Sequence, residues 1–337
     1  TPLHPAMSAL AARASALGKR KTRPAEIGNK MKRREGHRRD QQEKRRLKAE
    51  DKARRAKLVK ELGDQAPAKQ VPKSLDAMRE HDDTLPEPDD EEVMRAIEED
   101  EFAPYYRNEK EAKIMITTRP RPSKNLFTFV GDLLTLLPKA FFYPRKTFTL
   151  KQIVGWAQKK EFTHLLVLNE KNKVCNALLV SHLPAGPTAC FKVTNIVPSN
   201  DIQDHGRSTD HRPEIILNNF NTRLGLRVGR LFGSMFPHEP EFRGRQVVTM
   251  HNQRDFIFVR HHRYMFREGT ARKGENKAQI VGKDGKTAVH AAMQELGPRF
   301  TLKMRWLQAG TFDTKEGEYE WILKRSEMET SRRRFFL

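Results

Sequence analysis

Ile114-Met-Ile-Thr-Thr-Arg-Pro-Arg-Pro-Ser-Lys-Asn-Leu-Phe-Thr-Phe-Val-Gly-Asp-Leu-Leu-Thr-Leu-Leu-Pro138 decides the fold. Ile114, Met115 and Ile116 make a short apolar strand, and Thr117 to Pro122 a loop. Ser123 suits a helix N-cap. Leu126, Phe127, Val130, Leu133, Leu134 and Leu137 then share one helical face until Pro138 stops the helix. The same plan returns further along. Ile215, Ile216 and Leu217 form the strand and Thr222 stands at the helix entry. Leu224, Leu226, Val228, Leu231, Phe232, Met235 and Phe236 supply the helix, and Pro237 ends it. Aligning the two prolines pairs Phe127 with Leu226, Phe129 with Val228, Leu133 with Phe232, and Leu136-Leu137 with Met235-Phe236. Two copies are too few for a solenoid; they predict two similar α/β lobes.

Outward from these segments, residues 149–160 read as a helix, and Leu165–Leu168, Ala177–Val180 and Phe191–Val197 as strands. In the second lobe Gln246 to Met250 leads through Asn252-Gln253-Arg254-Asp255 into a long strand, residues 256–267. Residues 288–296 read as a short helix. Phe300, Leu302, Met304 and Trp306 alternate with Thr301, Lys303 and Arg305, as in a half-buried strand. This order of elements argues helices packed on mixed sheets.

The 337 residues include 64 Lys and Arg against 43 Asp and Glu, a formal net charge of +21. Such an excess repels itself in a compact state and implies an anionic partner. Nucleic acid is the expected one, because each neutralised phosphate releases counterions; an anionic membrane surface is the rival. No apolar run approaches the roughly 20 residues that span a bilayer. Thr1 to Gly18, Ala-rich but interrupted by Arg13, does not read as a signal peptide. Cys175 and Cys190 form no C-x-x-C pair, so neither a zinc site nor a disulfide framework is indicated. Both fall in apolar strand-like segments, where buried, inert thiols are expected, and a reducing compartment fits.

Residues 19–60 hold 19 Lys and Arg with 6 Asp and Glu, whereas residues 82–101 hold 11 Asp and Glu with one Arg. These runs nearly cancel: the basic excess is 3 over residues 1–109 and 18 over residues 110–337. The folded part is therefore basic by itself, and a nucleic-acid role cannot rest on the tail alone. From His37 to Leu62 helix formers dominate, with Asp40/Lys44, Glu50/Arg54 and Asp51/Arg55 in the favourable acid-first spacing, and Gly63 suits a helix stop. Leu47, Leu58, Val59 and Leu62 make too thin a stripe for a core. Lys30, Lys32, Arg33, Arg34, Arg38, Arg39, Arg45 and Arg46 are the tail's candidates for RNA contact or nuclear import. Pro67 to Pro88 looks like a linker. The acidic run carries Val93, Met94 and Ile97 at helical spacing; it could dock on a basic partner or fold back as a mask, but a solvated linker with one loose turn is the expectation.

Ile116-Thr-Thr-Arg-Pro-Arg-Pro-Ser-Lys-Asn-Leu with its helix and closing Leu-Leu-Pro138 resembles the opening of the Brix domain. So does Phe242-Arg-Gly-Arg-Gln-Val-Val-Thr-Met-His-Asn-Gln-Arg-Asp-Phe-Ile-Phe-Val-Arg-His-His-Arg-Tyr-Met-Phe266, and the Ser331-Arg-Arg-Arg-Phe-Phe-Leu337 end fits. The resemblance spans roughly residues 113–330 of the sequence. It implies two pseudo-symmetric α/β lobes, each similar to the anticodon-binding domain of some tRNA synthetases. It also implies a nucleolar, nuclear protein that binds rRNA in pre-ribosomal particles beside other assembly factors and ribosomal proteins; in the part of the family matched best, the particle is the precursor of the large (60S) subunit. The expected organisation is a basic extension over 1–66, an acidic Pro-containing linker over 67–109, Brix lobes over 110–210 and 211–330, and a basic end over 331–337.

The residues offer two matching basic corners. Arg119, Arg121 and Lys124 cluster where a strand turns into a helix, whose N-terminus suits phosphate; Arg223, Arg227 and Arg230 stand in the equivalent place, three and four apart, without interleaved acids. In the long strand Arg260, His262, Tyr264 and Phe266 share one side; His261, Arg263, Met265 and Arg267 share the other. Arg243, Arg245, Arg254, Arg272 and Lys273 flank it. Arginine and aromatic planes can grip phosphates and stack on unpaired bases, although for Tyr264 and Phe266 a core position is the expectation, and the arginines could equally solvate a helix face.

Catalytic readings fail on pattern. Gly282-Lys-Asp-Gly-Lys-Thr287 has Ile280 where a P-loop needs glycine and reads as a surface turn. Gly225, Gly229 and Gly233 suit close packing rather than a dinucleotide. His251, His261 and His262 lack metal-ligand companions, and no carboxylate set or Ser-His-Asp arrangement converges. The expectation is a non-enzymatic RNA-binding scaffold without metal, cofactor, membrane or small-molecule partner; a protein–protein adaptor and a metal-dependent ribonuclease are the alternatives.

Overall fold

The computed structural model describes residues 28–62, 78–80, 84–86, 90–239, 243–268, 289–312, 317–324, 328 and 334–337. Arg272, Lys273, Gly63, the turn at Gly282–Thr287, Thr1–Gly18 and most of the Pro67–Pro88 linker lie outside them. The chain divides into two units, residues 1–73 and 74–337. In the first, α1 (Lys30–Leu62) starts earlier than His37 because the Asn29 side chain accepts from the Met31 and Lys32 amides, an N-cap. Its ion pairs include Glu35–Arg39, Arg46–Glu50 and Asp51–Arg54, so Glu50 meets Arg46 rather than the expected Arg54.

The second unit holds α2 (Glu91–Glu99), α3 (Ala103–Tyr106), β1 (Ile114–Thr118), α4 (Lys124–Leu136), β2 (Ala140–Phe142), α5 (Leu150–Lys159), β3 (His164–Lys171), β4 (Val174–His182) and β5 (Thr188–Val197). After it come β6 (Glu214–Asn218), α6 (Arg223–Gly233), β7 (Gln246–Gln253), β8 (Phe256–Glu268), β9 (Val289–Glu295), β10 (Arg299–Gln308) and β11 (Tyr319–Ile322). The strands form one 11-stranded sheet in the order β2-β1-β3-β4-β5-β10-β8-β7-β6, with β11 on β10 and β9 on β8.

Both copies of the repeat follow the same path. β1 runs parallel to β3 with α4 between them in the chain, and β6 runs parallel to β7 with α6 between. Each pair continues into two antiparallel strands, β4 and β5 in one half, β8 and β10 in the other. The halves fuse where β5 pairs antiparallel with β10, Thr188 opposite Gln308 and Val197 opposite Arg299. Ser123 and Thr222 cap the helices as expected, accepting from the Leu126 and Gly225 amides.

α4 and α6 pack on the same sheet face. Phe129, Leu133, Leu136 and Leu137 and their counterparts Val228, Phe232, Met235 and Phe236 are all buried in one shared core. Phe127 departs from the expectation at 45 % exposed, its ring meeting Phe142 edge-on. α5 lies on the opposite face, where Ile153, Val154 and Ala157 meet Met115, Leu165 and Val167. Within the segment 288–296, Val289–Glu295 is a strand and not the expected helix: the far half of β8 needs a hydrogen-bonding neighbour, and this stretch supplies it despite its Ala-rich sequence. Both cysteines are buried and free, and burial pushes Cys175 up to about 12 and Cys190 to about 11.

The glycines of α6 mark close approaches. A Cβ at Gly225 would stand 2.9 Å from the Leu337 backbone and 3.2 Å from that of Phe220. Leu337 is held there by Asn252, which donates to its carbonyl oxygen, and by its own amide donating to Asp255. Gly131 in α4 has open space around it. Gly225→Ala is therefore expected to lower stability by about 1–3 kcal/mol, and Gly131→Ala to raise it by up to about 1 kcal/mol. Urea unfolding of the two variants measures both signs.

Candidate nucleic-acid interface

At the first corner β1 ends at Thr118 and the chain turns through Arg119 and Arg121, the latter at φ 54°, into the Ser123 cap. Arg119, Arg121 and Lys124 are exposed. A carboxylate already serves the cap: the Ser123 amide and hydroxyl donate to Glu170 at 3.0 and 2.5 Å, and Arg119 donates to the Glu170 backbone oxygen. The corner thus offers three cations around a helix entry that is already occupied.

The second corner differs from the expectation. Arg223, Arg227 and Arg230 lack acids in their own helix but meet them in space. Arg223 reaches Glu92 at 3.1 Å and Asp90 at 3.4 Å, and Arg227 reaches Glu101 and Glu320 at 2.9 Å. Arg230 makes a two-pronged contact with Asp100 and donates to the Ile97 carbonyl. Burial alone would lower the Arg227 guanidinium; its bonds to Glu320 and Glu101 outweigh that and hold it above its ordinary value. The acidic segment is no solvated linker here. It folds back on α6, so these arginines are not open cations in this structure.

The segment is tied at both ends but sunk deeply at only one: near its start the Thr84 carbonyl accepts from the Arg223 amide at 3.0 Å. α2, entered at Asp90, has no buried residue. Phe102, by contrast, is fully buried and Tyr105 nearly so. Tyr105 donates its hydroxyl proton to His182 Nε2 at 3.1 Å, and His182 Nδ1–H donates to the Gly186 carbonyl at 2.9 Å. His182 stands opposite His164 across β3 and β4. Burial holds both histidines below their ordinary value, His164 strongly so, with repulsion from His182 adding to the effect on His164.

The other face of the second half presents a different arrangement. The described residues place no helix on it, and β8 turns Phe258, Arg260 and His262 toward it while Ile257, Val259 and His261 enter the core. Lys192 on β5 lies directly opposite Lys303 on β10. Lys303 sits over the Phe256 ring at 4.5 Å and Arg260 over Phe258 at 5.8 Å, and burial lowers the Arg260 guanidinium. Like charges directly opposed in a sheet repel. Sequence reading missed Lys192 and Lys303, each embedded in an apolar strand; the alternation of β10 was the available signal.

The remaining candidates scatter. Arg243 and Arg245 are exposed just before β7, and Arg245 lies over Phe266, which is 59 % exposed and not core. Tyr264 is half-buried and donates to Glu214. Arg263 is half-buried opposite Gln246. Arg254 lies past the far end of β7, about 30 Å of extended chain from Arg245, in a two-residue hairpin turn with Asp255, both at positive φ. The Arg267 side chain lies outside what is described. The two basic corners are also apart: β1 and β6 run in opposite directions, seven strand steps or about 34 Å across the sheet. Among the described residues no group of His, Cys, Asp or Glu could hold a metal, and no helix is long and apolar enough to cross a membrane.

This paired architecture with its basic surfaces is the one the sequence resemblance implied, and residues 120–306 match the family model of the Brix domain. The chain belongs to the Brix-domain family. It is 48 % identical over 277 residues to Ribosome production factor 1 of Xenopus laevis, covering 82 % of this chain and 75 % of that one. It is 46 % identical over 314 residues to Ribosome production factor 1 of Mus musculus, covering 93 % and 84 %. A solved structure, a probable ribosomal biogenesis protein from Aeropyrum pernix K1, aligns with 57 % of this chain and 96 % of its own at 16 % identity and a TM-score of 0.40.

Two predictions follow from the acidic segment. Asp100→Ala strands Arg230, whose side chain is only 14 % exposed, and should cost about 3–5 kcal/mol; Glu92→Ala, facing a half-exposed Arg223, should cost under about 1 kcal/mol. Equilibrium denaturation ranks them. Second, the unfolded chain protonates His164 and His182 as pH falls through about 6.5, whereas the folded chain resists. Their contribution is therefore full above that pH and lost below it. The urea midpoint should hold on the alkaline side of neutrality and drop toward about pH 5.

Proposed function

We propose that this chain is a non-catalytic rRNA-binding assembly factor of the large ribosomal subunit, acting in the nucleolus. It holds a pre-rRNA segment and neighbouring assembly factors and ribosomal proteins in register while the particle matures. The names of its relatives, ribosome production factors, support a place in ribosome formation. The observation that carries RNA binding is the Lys192–Lys303 opposition beside Arg260 and His262 on a sheet face that no described helix covers. The pairing sets two cations on adjacent strands of one face, and a phosphate backbone supplies anions in a row. Arg119, Arg121 and Lys124 extend the basic surface on the first half, and the arginines and lysines of α1 add a sequence-independent contact or a nuclear import signal.

A second reading has its own support: the α6 arginines bind carboxylates in this structure, so this face of α6 fits an acidic protein partner. The test is a salt titration of the full chain on a structured rRNA fragment. Lys192→Ala and Lys303→Ala should each weaken binding uniformly across sequences and flatten the log–log salt slope by about one unit. Lys192→Ala should not lower folding stability, because it removes a like-charge contact, whereas Lys303→Ala also gives up the contact with the Phe256 ring, and circular dichroism checks that both variants are folded. Binding that is insensitive to salt and to both substitutions would leave the adaptor reading in place, and metal-dependent cleavage of the fragment would replace both.

A further inference from the structure

The first half carries three aromatic rings that its core covers only in part. The capping box of Thr149 and Gln152 fixes the start of α5. From there Ile153, Val154 and Ala157 face the sheet, which leaves Trp156 on the side turned toward the loop after β2. That loop returns Tyr143 and Phe148 to the same place. Helix and loop enclose a cleft of about 340 Å³ lined by Met115, Thr117, Tyr143, Phe148, Trp156 and Lys160, among others. Tyr143, Phe148 and Trp156 are 38 %, 40 % and 42 % exposed. Phe148 and Trp156 meet edge-on at 4.7 Å and Tyr143 meets Phe162 at 5.8 Å, which fixes the rings while leaving part of each in water.

Cations border the cleft. Lys146 and Lys160 are among its lining residues and no acid is. Lys160 places its ammonium 4.9 Å from the Tyr143 ring centre, and Lys113 lies 4.7 Å from that of Phe162 while donating to the Lys160 carbonyl. An apolar protein segment would have to desolvate these lysines without compensation. Unpaired nucleotides meet both demands, since their bases stack on aromatic rings and their phosphates neutralise flanking lysines. Paired bases, buried in their own stack, cannot enter.

We propose that this cleft binds an unpaired RNA strand, with bases against Tyr143, Phe148 and Trp156 and phosphates at Lys146 and Lys160. The inference rests on the RNA-binding reading above and adds a site for single strands distinct from the basic sheet face. The full chain is titrated against labelled oligouridine of about 12 nucleotides and an RNA duplex of equal length, read by fluorescence anisotropy. Phe148→Leu and Trp156→Leu should each weaken oligouridine binding about tenfold and leave duplex binding unchanged. Should either variant lose its native circular dichroism, Lys146→Ala with Lys160→Ala carries the test, since both lysines are at the surface; selective loss of oligouridine binding is again expected.

Oligouridine bound with wild-type affinity by well-folded cleft variants overturns the site while leaving duplex binding, and the general RNA reading, intact. A chain that binds neither RNA overturns both. A third result, an acidic aromatic peptide bound at the cleft that oligouridine cannot displace, replaces the RNA strand with a protein partner and also overturns the proposal.

Discussion

Everything in the folded unit depends on the antiparallel pairing of β5 with β10. Without it each half would expose a long strand edge, a row of unpaired amide and carbonyl groups open to other chains. With it, Phe191 and Val193 continue into Leu302 and Met304, and α4 and α6 find a single sheet to cover. The same pairing makes Lys192 meet Lys303 on the reverse face. The contact that fuses the halves therefore also brings two like charges together on neighbouring strands, over the apolar layer that the same pairing makes continuous.

The two halves share a path but not a covering. In the first, α5 shields the reverse face and pushes Trp156 outward beside its lysines. In the second no described helix does so, and β8 shows that side its own Phe258, Arg260 and His262. The front faces diverge as well. The entry of α4 is served by one carboxylate, Glu170, whereas the α6 arginines receive a segment carrying several. A duplicated scaffold has thus become three chemically separate surfaces: an open basic sheet, an aromatic cleft and an arginine row already holding acids.

Much of the scaffold was legible because it rests on local chemistry. Ser123 and Thr222 announce their helices, Pro138 and Pro237 close them, and the buried positions between recur in both copies. What was not legible depends on register or on distant partners. Nothing near Arg230 in sequence signals Asp100. Lys192 and Lys303 are unremarkable singly and matter only because β5 and β10 set them opposite each other. Val289–Glu295 has the composition of a helix and becomes a strand because half of β8 would otherwise lack a neighbour. Phe266 reads as core from its alternation, yet it lies where the sheet has run beyond the layer that would cover it.

The acidic segment has ends of unequal character. Asp90 and Glu92 hold Arg223 in the open, within reach of mobile ions that damp such attractions over about 8 Å at physiological ionic strength. Asp100 grips Arg230 where little solvent enters, and Phe102 is sunk in the core beside it. Rising salt would therefore strip the carboxylates from Arg223 before the one from Arg230, while the backbone bond from the Arg223 amide to the Thr84 carbonyl, a neutral contact, keeps the strip from lifting away.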